Sequence, residues 1–231
     1  MSKVKKVLLT ILAALIGVLL LFCAAFYVFF DVPDWQKLDI SRLSALAQTS
    51  SMYDMNGELM SELRGSENRI IVSLDEIPLH TRQAFIAAED LRFYDHRGID
   101  VYRILGALRS NLKSGSLAEG ASTITQQLVK LSHLSSQKTI ARKLEEIWLA
   151  LQLEQQFTKE ILEMYLNYIY FGDGAYGVQA AAQAVYGVDA KALSPAQAAS
   201  LAAAIKAPSA YGITSRPDAN RERRTYILNV M

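Results

Sequence analysis

Residues 7–30 carry no charged side chain. The run is 24 residues long, against the roughly 20 that an α-helix needs to cross the hydrocarbon core of a bilayer. It reads as a transmembrane helix, so the rest of the chain has to fold on one side of a membrane, tethered by its own N-terminus. Lys3, Lys5 and Lys6 precede the run, and Asp31 and Asp34 follow it. That asymmetry predicts a single pass, with residues 1–6 in the cytoplasm and everything beyond residue 30 outside it. A cleaved signal peptide begins with similar charge, but its apolar core is about 7–15 residues and ends at small side chains. Here the run closes on Phe26, Tyr27, Val28, Phe29 and Phe30. Cys23, the single cysteine, lies within the run, so no disulfide forms inside the chain.

With 51% hydrophobic residues and a formal net charge of +1, the chain has the signature of neither a disordered tail nor a nucleic-acid binder. Residues 31–50, with Pro33, read as a juxtamembrane linker, and 51–231 as one domain large enough to bury a single core. Asn56-Gly57 predicts a hairpin turn, and 69–74 a further strand. Beyond Pro78 the periodicity is helical: 79–88, 101–112, a helix from Ile124, 139–157, 159–170, 178–185, 195–206, and 218 onward. In the fourth of these, Ile140, Leu144, Ile147, Leu151 and Leu153 are expected inward, with Trp148 in the core. In the fifth, Ile161, Leu162, Tyr165 and Leu166 form the buried stripe. Residues 172–177 spell G-x-G-x-x-G, but a dinucleotide site needs a strand before the glycines and a βαβ unit around them. A tight turn before the helix is the better reading.

Against this background two stretches stand out: Gly-Ala-Ser-Thr-Ile-Thr-Gln-Gln-Leu-Val-Lys at 120–130 and Lys-Thr-Ile-Ala-Arg-Lys-Leu-Glu-Glu at 138–146. Ser122 and Thr123 suit a helix N-cap, with Ile124, Leu128 and Leu131 as the apolar stripe. Gln126, Gln127 and Lys130 fall beside it. A second helix start near Thr139 adds its positive dipole end to Lys138, Arg142 and Lys143, which together attract anions. Arg142 and Glu146 share a face one turn apart. Upstream, Glu89 ends an apolar helix, at the rim of a core where desolvation favours accepting a proton.

These stretches, with Ala-Glu-Asp-Leu-Arg-Phe-Tyr-Asp-His-Arg-Gly-Ile-Asp at 88–100, Lys-Glu-Ile-Leu-Glu-Met-Tyr-Leu-Asn at 159–167 and Tyr-Phe-Gly-Asp-Gly-Ala-Tyr-Gly at 170–177, resemble in order the motifs of the family 51 peptidoglycan glycosyltransferases. That family comprises monofunctional transglycosylases and the glycosyltransferase modules of class A penicillin-binding proteins. The resemblance implies a mainly α, lysozyme-like domain with a small β-hairpin element, on the outer face of a bacterial cytoplasmic membrane. It implies polymerisation of lipid II on the growing glycan chain, with Glu89 as base and Glu146 organising the cations. Asp90, Arg92, His96, Ser122, Thr123, Gln126, Gln127, Lys130, Lys138, Arg142, Lys143 and Asn167 are then the substrate-binding set. A divalent cation, Mg or Mn, has a place on the pyrophosphate, with Glu146 its ligand if it has one. The implied partners are membrane lipid and other wall-synthesis or division proteins, with no nucleic acid. Residues 101–112, basic and amphipathic, either dip into the bilayer interface or pack on the core. Three positions depart from the pattern: Ala121 replaces a glycine, Lys138 an arginine, and Glu145 a residue that is often basic. Two rival readings are a muramidase-like hydrolase, whose neutral glycan would give no reason for the cation cluster, and an inactive glycan-binding scaffold.

Overall fold

The computed structural model describes residues 13, 14, 16–18, 20, 21, 37–44, 50–56, 59–63, 68–114, 120–135, 137, 139–157, 160–172 and 174–231. Most of the run 7–30 lies outside these, and among the described residues no helix is long and apolar enough to cross a membrane. Lys138, Thr158, Lys159 and the loop 115–119 also lie outside them.

The described chain is mainly helical with two small sheets. A short helix α1, Ile40–Ser44, buries Leu43 against the domain, and the neighbouring Leu38 N–H donates to Gln152 Oε1 at 3.3 Å. Strands β1 (Ser50–Tyr53) and β2 (Leu59–Leu63) form the expected antiparallel hairpin, with a register shift between Met52 and Tyr53. The second sheet has the order β3-β5-β4: β3 (Asn68–Arg69) runs parallel to β5 (Ala175–Tyr176), and β4 (Tyr170–Gly172) antiparallel to it. The strand predicted over 69–74 therefore stops after Arg69. Val72 gives its N–H and C=O to the side chain of Asn167 instead of to a neighbouring strand, and residues 74–76 curl into a 3-10 turn.

Helix α2, Leu79–Glu89, follows Pro78 and buries Thr81, Ala84 and Phe85. It packs on the alanine-rich α8, Pro195–Ala204, whose Ala198, Ala199, Ala202 and Ala203 are fully buried; small side chains let helix axes come close. Ser194 caps α8 in a reciprocal box with Gln197, worth about 1 kcal/mol. Beyond the short α9, Pro208–Tyr211, helix α10, Pro217–Val230, lies across α8 and α2. Buried Asn220 donates to Ser200 O at 2.9 Å and Tyr211 O at 2.8 Å, tying α8, α9 and α10 together.

A second group comprises α3 (Val101–Ser114), α4 (Ile124–His133), α5 (Ile140–Gln156), α6 (Glu160–Tyr168) and α7 (Val178–Tyr186). Within it α4 packs on both α5 and α6. The stripe predicted for α6 is buried throughout. The one predicted for α5 needs correction: Glu146, Leu149, Ala150 and Leu153 face inward, while Ile140 and Trp148 are exposed. Leu131 of α4 is exposed too. Phe85 of α2 meets Phe171 of β4 edge-on at 5.9 Å between ring centres, joining the first group to the second sheet.

Candidate active site

Glu89 is the last residue of α2, and its side chain is 13% exposed, with Oε1 buried. Its backbone oxygen accepts from the Arg103 guanidinium of α3. Its Oε2 accepts from Gln127 Nε2 of α4 at 2.7 Å. The other end of that amide is held by Tyr165, whose hydroxyl donates to Gln127 Oε1 at 3.4 Å. Burial, then the negative charges of Glu89 and Asp90, push the Tyr165 phenol well above its ordinary range, so it remains a donor and keeps the amide nitrogen turned toward Glu89. Glu89 Oε1 has no hydrogen-bond partner among the described residues, and Arg223 Nη2 of α10 stands 3.9 Å from it. The carboxylate faces a cleft of about 760 Å³ lined by Glu89, Asp90, Leu91, Arg92, Arg103, Ser122, Gln127, Lys130, Lys206, Arg223 and Tyr226, among others.

The turn after α2 is braced from below. Buried Asp90 accepts the Ile124 N–H at 3.0 Å and lies 3.0 Å from His96 Nε2, placing a carboxylate at the N-terminus of α4, where the dipole favours it. Thr123 caps α4: its Oγ1 accepts from the Gln126 N–H at 3.2 Å, and Gln126 Oε1 accepts from the Thr123 N–H at 3.0 Å. The same hydroxyl donates to Gly98 O at 2.6 Å. Arg92 forks onto Asp100, with Nε 2.9 Å from Oδ2, and that guanidinium holds the Asp100 carboxyl below its usual range. Burial pulls His96 down, but Asp90 first, with Asp100 and Glu154, outweighs it and leaves the imidazole raised.

The cations form two sets. Lys130 is exposed along the cleft wall. Arg142 and Lys143, in the first turn of α5, close on buried Glu146, with Arg142 Nη1 at 3.3 Å from Oε2 and Lys143 Nζ on Oε1. Lys143 Nζ also donates to Ser122 Oγ at 2.8 Å, which carries this cluster to the rim of the cleft.

Glu89, Asp90, Arg92, Ser122, Gln127 and Lys130, expected in the site, thus line one cleft. Thr123 and Gln126 are buried caps beneath it, and His96 stands behind Asp90. Arg142, Lys143 and Glu146 sit one layer back. Asn167, expected on the substrate wall, is buried: Nδ2 donates to Val72 O and Glu163 O, Oδ1 accepts from Val72 N, and its backbone oxygen accepts from Arg69. It fastens β3 and the segment after it to α6. As a metal ligand Glu146 fits poorly, since both oxygens are taken by cations. Asp90, His96 and Asp100 bring ligand atoms within 4.8 Å of one another, a spacing that could hold a metal ion. Their oxygens are already occupied by Ile124, His96, Arg92 and Arg103, so a cation would have to displace an arginine.

Lys206, Arg223 and Tyr226 were not anticipated. A signal for Arg223 exists in the spacing of Asn220, Arg223 and Ile227, three and four residues apart. The outer two are fully buried and carry Arg223 on the inward face of α10.

Residues 56–231 match the family model described as Transglycosylase. Among relatives, penicillin-binding protein 1A/1B of Bacillus subtilis is 50% identical over 202 residues, which is 87% of this chain and 22% of that protein. Penicillin-binding protein 1F of the same organism is 43% identical over 224 residues, 96% of this chain and 30% of that protein. The crystal structure of penicillin-binding protein 1A from Haemophilus influenzae aligns with 80% of this chain and 18% of its own, at 24% identity and a TM-score of 0.41. The chain therefore spans between about a fifth and a third of the length of these relatives.

Proposed function

The chain belongs to the transglycosylase family, and on that premise we propose that it polymerises lipid II into β-1,4-linked glycan strands, releasing undecaprenyl pyrophosphate. The observation that carries this reading is the Glu89 side chain on the same cleft as Lys130, with only one of its carboxylate oxygens, Oε2, accepting a hydrogen bond among the described residues. Glu89 takes the proton of the acceptor sugar's 4-hydroxyl as that oxygen attacks the anomeric carbon of the donor. The bond to pyrophosphate breaks on the opposite side, inverting the centre. Lys130 meets the departing charge, supported at the rim by Ser122 and Lys143, since fixed cations stabilise charge where it develops. Glu146 keeps Arg142 and Lys143 in place.

An inverting hydrolase would need a second carboxyl group free on the cleft to act as acid. Asp90 and Asp100 line it but are consumed by His96, Ile124, Arg92 and Arg103. This favours transfer over hydrolysis. The proposal includes a lysozyme-like domain anchored by residues 7–30 to the outer face of a bacterial cytoplasmic membrane, N-terminus inside, working with other wall-synthesis proteins.

The test is incubation of detergent-solubilised protein with labelled lipid II, with and without moenomycin, an inhibitor of this family. Polymer that disappears with the inhibitor is expected; cleavage of preformed glycan instead would support a muramidase. Glu89→Gln is expected to lower polymerisation by at least about 10²-fold, the low end of what a positioned base contributes, with the fold intact by circular dichroism. Near-normal polymer from that variant would remove Glu89 from its role.

A further inference from the structure

Glu89 is gripped unequally. Gln127 holds Oε2 by a 2.7 Å hydrogen bond, while Oε1 accepts none and faces Arg223 Nη2 at 3.9 Å. We propose that Arg223 is a positioning residue for the base, an inference that rests on reading Glu89 as that base. At 3.9 Å the contact is too long for a hydrogen bond, so it consumes no lone pair on Oε1. It is short enough for the charge to draw Oε1 in one direction while Gln127 draws Oε2 in another. The carboxylate is then fixed against rotation at the edge of the cleft, with Oε1 buried on the Arg223 side and Oε2 held by Gln127.

Arg223 is itself fixed. It is 17% exposed, and its guanidinium lies over the Tyr211 ring, 5.4 Å from the centroid. Its neighbours on that face of α10, Asn220 and Ile227, are buried, and Asn220 holds Tyr211 and Ser200 through their carbonyls. The charge is therefore delivered by a helix locked to the core. The remaining charges around Glu89 leave this task to Arg223: Arg103 is spent on the backbone oxygen of Glu89, and Lys130 and Lys206 line the cleft without pairing to the carboxylate.

The experiment compares steady-state lipid II polymerisation by wild type, Arg223→Gln, Arg223→Lys and Glu89→Gln in detergent. Arg223→Gln is expected to lower kcat about 10- to 100-fold, the scale on which small misplacements of reacting groups act, with KM for lipid II within about twofold. Arg223→Lys is expected to recover most of that loss, because it keeps the cation. A large rise in KM with kcat retained would overturn the proposal and make Arg223 a substrate contact; an unchanged kcat would overturn it as well. Should Arg223→Gln fail to fold, Tyr211→Leu removes the ring beneath the guanidinium and is expected to lower kcat at constant KM, and an unchanged kcat there counts against the proposal. Glu89→Gln separates the two levels. If it polymerises normally, the reading of the base falls; if it is inactive while the Arg223 and Tyr211 variants match wild type, only the role of Arg223 falls.

Discussion

Glu146 is 2% exposed and pressed between Arg142 and Lys143, so both of its carboxylate oxygens are spent on cations. Glu146→Gln leaves both cations without their counter-charge. Removing one member of a fully buried pair costs about 3–5 kcal/mol, but Lys143 is 41% exposed and solvent screens its share. We expect a loss of about 1–3 kcal/mol in urea unfolding and at least a tenfold fall in polymerisation, since Lys143 also holds Ser122 at the cleft. Added Mg or Mn should not restore activity; full rescue by either ion would return Glu146 to the role of metal ligand. His96 supports a prediction of a different kind. Its folded-state pKa is raised above the ordinary value near 6.5, burial being outweighed by Asp90 and its neighbours. A raised histidine contributes stability that is complete below the unfolded pKa and is lost as pH rises through the folded one. The melting temperature of wild type should therefore fall relative to that of His96→Gln as pH rises from about 6 upward. A difference between the two that stays flat with pH would mean that the Asp90 contact carries no charge.

At the scale of elements, Gly98 locks the braced turn onto α5. Its φ is +80°, and a Cβ there would stand 3.0 Å from Glu154 Cγ and 3.1 Å from Ala150 O. Gly98→Ala therefore meets both left-handed backbone strain, about 1–2 kcal/mol, and a backbone atom that cannot move aside. We expect about 2–4 kcal/mol of destabilisation in urea unfolding, with weaker Thr123 capping because its acceptor, Gly98 O, shifts; a cost below about 0.5 kcal/mol would refute the locking role. Apolar stripes at regular helical spacing were legible in the sequence, as Ile161, Leu162, Tyr165 and Leu166 of α6 show. Helix α5 was misread because its inward face includes Glu146, and hydrophobic periodicity does not assign a carboxylate to a core. The strand beyond Arg69 was misread because the amide of Asn167 substitutes for a ladder partner. Of the cleft lining, Glu89, Asp90, Arg92, Ser122, Gln127 and Lys130 lie in motifs that stood out in the sequence. Arg223 was missed because it lies in the polar run Asn220-Arg-Glu-Arg-Arg224, where its helical spacing to Asn220 and Ile227 is a weak signal beside three neighbouring charges.

Across the whole molecule, the least economical feature is the outward face of α3. Val101, Tyr102, Leu105 and Leu108 are 60, 77, 58 and 54% exposed, and Leu91 and Tyr94 on the preceding turn are exposed as well. Meanwhile Ala107 is buried and Arg103 turns in toward Glu89. The helix is thus amphipathic with its apolar side toward solvent, the reverse of a helix that packs on a core, and of the two sequence expectations for 101–112 this agrees with the interfacial one. A contiguous exposed apolar patch calls for a partner surface, and a lipid-linked substrate supplies one if the helix lies in the headgroup region beside the cleft. Replacing Leu105 and Leu108 together with glutamate removes apolar contact and adds repulsion from anionic lipid, while touching no residue that lines the cleft. The double variant should retain wild-type polymerisation on detergent-dispersed lipid II, yet lose about tenfold or more on lipid II embedded in phosphatidylglycerol vesicles. Its residues 37–231, expressed without the apolar run, should also sediment less with those vesicles than the same segment of wild type. Equal activity and equal sedimentation in vesicles would free this face from the membrane; loss of activity in detergent as well would assign it to the catalytic fold.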